Sequence, residues 1–172
     1  MLSNDVLRLG GFKGWRCDRC GWLITAIEEG WVEWLASEND DQEEVLTGLQ
    51  LVHLGPILQN GREQACRYDR LKEFKNGKTI VEGLPLDRFV GPDGLMVLFS
   101  LLAAGSLPKG QLLELAKRTQ IPSYEAARGL LQGISSDLVA PFLGSGYYLQ
   151  SEIREMIAFA LKHGKNVGPC EI

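Results

Sequence analysis

Four residues in the first part of the chain have the types and the spacing of metal ligands. Cys17 and Cys20 form a Cys-x-x-Cys pair, and His53 and Cys66 follow in more distant segments. Two thiolates separated by two residues can turn back onto one tetrahedral ion, and a second pair of ligands closes the coordination sphere. The pattern therefore predicts a structural site formed by these four side chains, with zinc as the cofactor.

Other interpretations of the same residues remain open. Cys170, close to the C-terminus, is an alternative to His53 because His53 and Cys66 form only a loose pair. A site without metal, with His53 buried and the thiols inert, is a second alternative. A redox pair and a zinc deaminase both fail on context, since Gly21 follows the Cys pair and no His-x-Glu segment precedes it. No nucleophile has a recognisable base partner, so we expect a protein that is not an enzyme.

The composition is typical of a globular protein with one domain or two small ones. The chain has 172 residues, of which 45% are hydrophobic, and a net charge of −4. The acidity is concentrated between residues 36 and 60, a segment with no Lys or Arg that predicts a solvated acidic loop; its acids are Glu38, Asp40, Asp41, Glu43 and Glu44. Charges near the N-terminus argue against a signal peptide, and the longest apolar run, residues 95–104, is too short to span a bilayer. We therefore expect a cytoplasmic protein with no membrane association.

Residues 1–84 predict a zinc-binding, β-rich domain. The predicted strands are Trp22–Ile27 and Trp31–Ala36, which would form a hairpin that turns at Gly30, then Leu49–Leu54 and Thr79–Val81. All four tryptophans lie within the first 34 residues and are expected to fill the core, with base stacking as the alternative. Trp31 and Trp34 differ by an odd number, so a regular strand places them on opposite faces.

Residues 85–172 have helical periodicity and predict a second domain, which makes the fold class α+β. The predicted elements are a helix from Asp93 to Gly105, a helix that starts near Pro108, a helix after Ser123, a hairpin across residues 138–149 and a last helix from Ser151. Leu86 and Phe89, in the connecting segment, predict that the two halves share an interface.

The second half resembles the winged helix-turn-helix superfamily. Residues 115–131, the sequence LAKRTQIPSYEAARGLL, resemble its helix-turn-helix, and residues 144–149, the sequence GSGYYL, resemble its wing. The resemblance covers roughly residues 92–163 and departs from the usual pattern at Gln120, where many members have Gly. It implies a winged-helix domain with Ala126 in its core.

The same resemblance implies a DNA-binding protein that regulates transcription. The residues expected to contact DNA are Lys109, Lys117, Arg118, Ser123, Tyr124, Arg128 and Gln132. Among these, Arg128 and Gln132 would contact bases, while Lys117 and Arg118 would contact phosphates. Basic residues exceed acidic ones by only one from residue 106 onward, so the alternative is an adaptor that uses the winged helix to dock another protein. A homodimer is also left open.

Overall fold

The computed structural model describes residues 14–74, 77–131 and 146–163. The strands are β1 (Trp15–Arg16), β2 (Leu23–Ile24), β3 (Gly30–Glu38), β4 (Glu44–His53), β5 (Ile57–Gln59), β6 (Arg62–Gln64) and β7 (Thr79–Pro85). The helices are α1 (Arg70–Glu73), α2 (Gly91–Ala104), α3 (Lys109–Gln120), α4 (Tyr124–Leu131) and α5 (Gln150–Lys162). Strands and helices are both present, which confirms the α+β class.

The chain divides into two compact units. Residues 14–120 form the first unit, and residues 121–131 and 146–163 belong to the second. The predicted domain boundary after residue 84 falls inside the first unit, because α2 and α3 pack on the same core as the strands. Leu86 and Phe89 are fully buried in that core, in keeping with the interface expected for the connecting segment.

The main sheet of the first unit has three antiparallel strands in the order β4-β3-β7. Strand β3 pairs with β4 from Gly30 opposite His53 to Glu38 opposite Glu44, so these two strands form the hairpin. The predicted hairpin that turns at Gly30 is therefore wrong. Strand β2 pairs with β1 instead, and a 3-10 turn over Ile27–Glu29 leads into β3.

A β-bulge bends strand β4 in the middle of this hairpin. The register shifts between Glu33 and Leu35, which leaves an extra residue on β4. Gly48 lies there with φ of 65°, and a Cβ on it would come within 2.6 Å of the Tyr68 hydroxyl. That hydroxyl donates a 2.9 Å hydrogen bond to the Gly48 carbonyl. The bulge thus favours glycine at position 48 for two reasons: the positive φ angle and the close approach of the Tyr68 hydroxyl.

One apolar core joins the strands of the first unit to its helices. Val32 and Leu51 contribute from the sheet, while Leu98 and Leu112 contribute from α2 and α3. The prediction that the tryptophans fill the core is confirmed for Trp34, which is 6% exposed. All of these side chains belong to one hydrophobic cluster, so the β-rich part and the two helices form a single packing unit.

Helix α2 ends as its sequence predicts but begins three residues earlier. Gly105 is its C-cap with φ of 71°, and its N–H donates to the Leu101 carbonyl at 3.2 Å. The left-handed conformation suits glycine because it has no Cβ. The predicted N-cap, Asp93, lies inside the first turn, and Val90 occupies the N-cap position without a side-chain cap. Within the described ranges, no helix is both long and apolar enough to cross a membrane.

The second unit has its own small core between α4 and α5. Ala126 is 3% exposed and packs with Ala127, Ile153 and Met156, as the resemblance implies for Ala126. The predicted hairpin spans residues 138–149, of which residues 138–145 lie outside the described residues. Residues 146–149, which include most of the predicted wing, are described and form no strand. The winged-helix fold therefore stays a prediction.

Candidate metal centre

A tight turn between β1 and β2 brings the first two predicted ligands together. The Cys17 amide donates to the Trp22 carbonyl at 2.8 Å, and the Gly21 amide donates back to the Cys17 carbonyl at 2.9 Å. The Trp22 amide also lies 3.4 Å from the Cys20 sulfur, as a donor to that thiol. These bonds hold both sulfurs on the same side of the turn.

The other two predicted ligands come from either side of the β5–β6 hairpin. His53 is the last residue of β4, and Cys66 follows β6. The 32-residue separation between Cys20 and His53, long for a zinc ribbon, is filled mainly by the β3–β4 hairpin. The predicted acidic loop forms the tip of that hairpin, where residues 38–44 are all exposed.

Hydrogen bonding orients the His53 ring toward the thiols. Its Nε2 lies 3.2 Å from the Leu23 carbonyl, while its Nδ1 lies 3.6 Å from the Cys20 sulfur. A carbonyl can only accept, so the proton belongs on Nε2 and the lone pair on Nδ1 points into the cluster. This second contact of the ring is the usual way in which a protein fixes a metal-binding histidine.

The cluster has the dimensions of a tetrahedral metal site. The ligand atoms of Cys17, Cys20, His53 and Cys66 all lie within 4.8 Å of one another. Bond lengths of about 2.3 Å to sulfur and about 2.0 Å to nitrogen place tetrahedral ligand atoms roughly 3.5–3.8 Å apart. The 3.6 Å between the Cys20 sulfur and His53 Nδ1 falls in this range. The four residues therefore could hold a metal ion, and its identity as zinc stays a prediction.

Without a bound cation, the surroundings of the cluster disfavour the thiolate form of its cysteines. Burial, and then the neighbouring Cys17 thiol, raises the pKa of Cys66 from 9.0 to about 12. Burial also raises the pKa of Cys20, against the opposing effect of the Trp22 amide. A bound cation reverses these effects, because it stabilises each thiolate directly.

An ion pair ties the turn between the first two cysteines to helix α3. The Arg118 guanidinium donates to the two Asp18 carboxylate oxygens at 2.8 and 2.9 Å, and it also bonds the Arg16 carbonyl. Asp18 accepts from the Leu51 amide at 2.8 Å as well. The turn that carries Cys17 and Cys20, strand β4 and the end of α3 thus meet at one carboxylate.

The buried carboxylate of Glu33 fixes the segment that follows Cys66. Glu33 is fully buried and accepts from the Tyr68 amide at 2.7 Å and from the Gln50 side chain at 2.8 Å. Arg67 pairs with the same carboxylate at 3.4 Å, and its guanidinium lies 4.6 Å from the centre of the Trp31 ring. Arg67 thus places Trp31 on the same face of β3 as Glu33. The buried Trp34 lies on the opposite face, as predicted, where it donates to Glu82 of β7 at 3.1 Å.

Several residues predicted to contact DNA are used inside the protein. Arg118 is 6% exposed and Tyr124 is 5% exposed, and such burial does not fit contact with a DNA duplex. Lys117 pairs with Glu114 at 2.6 Å, and Arg128 pairs with the buried Glu125 at 3.3 Å.

Two of the remaining DNA candidates, Lys109 and Ser123, are exposed. The third, Gln132, lies outside the described residues, as does Cys170, the alternative metal ligand.

Comparison with models of protein families, with curated proteins and with solved structures found no match. The four clustered ligands were predicted from their types and spacing, whereas the contacts of Asp18, Glu33 and Arg118 were not. Asp18 had one available signal, since it lies between two ligands, whereas the burial of Arg118 had none.

Proposed function

We propose that the protein binds one zinc ion through Cys17, Cys20, His53 and Cys66, and that this ion is structural. The observation that supports this is the closed cluster of three sulfurs and one nitrogen within 4.8 Å. Four protein ligands fill a tetrahedral zinc sphere and leave no position for a substrate or a reactive water. The ion then stabilises the fold of residues 14–120 and does no chemistry.

We further propose that the protein is an adaptor that docks another protein. Small domains held by a structural metal usually bind other macromolecules, and a DNA-binding surface needs cations that are available to phosphates. In this chain Arg118 is paired with Asp18, Lys117 with Glu114 and Arg128 with Glu125. Together with the net charge of −4, these pairs favour a protein partner over DNA.

DNA binding of a regulatory type is the second candidate. Its support is the helix order, in which α3 and α4 are joined by only three residues, as in a helix-turn-helix. Lys109 and Ser123 are exposed and available for backbone contacts. Under this alternative the protein would act in transcription regulation.

Elemental analysis of the purified protein tests the zinc proposal. The wild type should contain one zinc per chain. His53→Gln should lose it, whereas His163→Gln is a matched control because His163 is exposed and far from the thiols in sequence. Absence of stoichiometric metal from the wild type, or equal zinc content in the two variants, would contradict the structural zinc site.

A titration with random duplex DNA at several salt concentrations separates the two candidate functions. DNA binding predicts measurable affinity at low salt and a steep loss as salt rises. The adaptor function predicts no binding even at about 50 mM salt. It also predicts that a partner protein is captured by the wild type and by His163→Gln but not by the zinc-free His53→Gln variant. Tight, salt-sensitive DNA binding would reject the adaptor.

A further inference from the structure

An apolar groove runs beside the outer edge of strand β4. It has a volume of about 580 Å³ and lies between the start of β4 and the connection from α2 to α3. Leu46, Leu102, Leu107 and Leu113 supply apolar lining, and Thr47 is exposed at its surface. This volume falls within the range of about 300–1,000 Å³ that is typical of ligand pockets.

The acidic hairpin tip, residues 38–44, adjoins this groove directly. Glu44 directly precedes Val45, which lines the groove. Because a strand advances about 3.4 Å per residue, even the far end of the tip lies within roughly 15 Å of the groove. The tip has a defined shape because the Asn39 side chain accepts from the amides of Asp41 and Glu43 at 3.0 and 2.8 Å.

Within the part of the chain that the structure describes, no salt bridge balances the charges of the tip. Glu38 and Glu44 face each other directly at the end of the β3–β4 ladder. Like charges at directly opposed positions are destabilising. A cationic partner that binds here would relieve this repulsion.

On the basis of the adaptor function above, we propose that the groove and the tip together bind a protein segment with adjacent apolar and basic residues. Its apolar side chains enter the groove, and its Lys or Arg residues lie against Glu38 and Glu44. The segment is held by side chains and not as an added β-strand, because the outward-facing Leu46 amide already donates to the Ser106 carbonyl at 3.3 Å. Lys109, at the groove, disfavours a purely basic segment and makes the apolar anchor necessary.

The probe is a fluorescein-labelled peptide of about ten residues, with two leucines followed by lysines and arginines, the length being set by the span of groove and tip. Fluorescence anisotropy should show binding to the zinc-loaded full chain that weakens as salt rises. Two further peptides, one with serine for leucine and one with glutamate for the basic residues, should each bind at least about tenfold more weakly. Equal binding of the serine peptide would reduce the interaction to charge alone and overturn the proposal.

Two sets of variants locate the binding site. The double variant Glu38→Gln, Glu44→Gln should weaken peptide binding about three- to tenfold, from the loss of two exposed charge pairs. The control Glu28→Gln, Glu63→Gln removes two exposed charges elsewhere and should bind like the wild type. Thr47→Arg, at an exposed position, should abolish binding by filling the groove and adding a positive charge.

Other outcomes would reject the proposal without touching the zinc site or the adaptor function. Unchanged binding by the Glu38/Glu44 variant or by Thr47→Arg, or no binding at all to the wild type, would overturn it. A wild-type dimer that Thr47→Arg converts to a monomer would identify a second copy of the chain as the occupant and overturn it as well. Zinc content and partner capture are measured separately. A wrong proposal about peptide binding at the groove can therefore be distinguished from a wrong proposal about zinc or the adaptor function.

Discussion

Removal of the Arg118 guanidinium should destabilise the first unit far more than removal of a neighbouring cation. Arg118 makes two hydrogen bonds to Asp18 and one to the Arg16 carbonyl, and its side chain is 4% exposed. The Asp18 side chain is 28% exposed, so water can partly solvate it once its partner is removed. Breaking a buried pair costs about 3–5 kcal/mol, and the partial exposure lowers our expectation for Arg118→Met to about 2–4 kcal/mol.

The measurement is a urea titration of the zinc-loaded protein followed by tryptophan fluorescence. All four tryptophans lie between residues 15 and 34, so the signal reports on the first unit alone. Lys117→Met is the matched control, because Lys117 is the preceding residue and its pairing with Glu114 is near the surface; its cost should stay below about 1 kcal/mol.

A double-mutant cycle isolates the pair itself. Asp18→Asn alone should cost about 1–2 kcal/mol, since the amide keeps an acceptor for the Leu51 amide. The double variant should be less destabilised than the sum of the single variants, with a coupling energy of about 1–2 kcal/mol. A coupling energy within about 0.3 kcal/mol of zero, or equal costs for Arg118→Met and Lys117→Met, would refute the reasoning.

Three further perturbations have expected outcomes in the same assay. Glu33→Ala should lower the free energy of unfolding by about 2–4 kcal/mol, because the Tyr68 amide and two side chains lose a buried acceptor. Gly48→Ala should lower it by about 1–3 kcal/mol through the strained backbone and the clash with the Tyr68 hydroxyl, and a loss below about 0.5 kcal/mol would contradict the bulge. In chelator-treated protein, the pKa of Cys66 near 12 lies above its unfolded value near 9, so the native state retains a proton that the unfolded chain releases. Stability should therefore be retained below about pH 9 and fall as pH rises toward 12, as urea midpoints at increasing pH would show; a midpoint that rises over this range would contradict it.

The cluster of four candidate metal ligands could be predicted from the sequence because it depends on residue type and short spacing. Two cysteines three positions apart must lie close together in almost any turn, and His53 and Cys66 were the remaining candidates within the β-rich segment. The acidic loop was predictable for a similar reason, since a run of like charges cannot be buried. Gly105 likewise marks a helix end through its own conformational freedom.

The partners of strand β3 and of Arg118 could not be predicted, because both depend on contacts distant in sequence. Strand β2 lies next to β3 along the chain, yet β3 pairs with β4 and β7. Nothing local distinguishes these choices, since all four strands have β-prone residues. Arg118 follows Lys117 on a helix and resembles a surface cation. Only the position of Asp18, a hundred residues away, makes Arg118 a buried one.

The topology of the main sheet also bears on the order in which the first unit folds. Strand β3 meets β4 through a short turn, but its pairing with β7 closes a loop of about 40 residues, from Ser37 to Thr79. Cys66 lies inside that loop, so an ion that holds Cys66 to the other ligands leaves only about a dozen residues to be closed. The free-energy cost of closing the loop between β3 and β7 then falls by roughly 1 kcal/mol. Binding of the proposed zinc ion should accordingly accelerate the addition of the third strand, and chelated chains should add β7 more slowly.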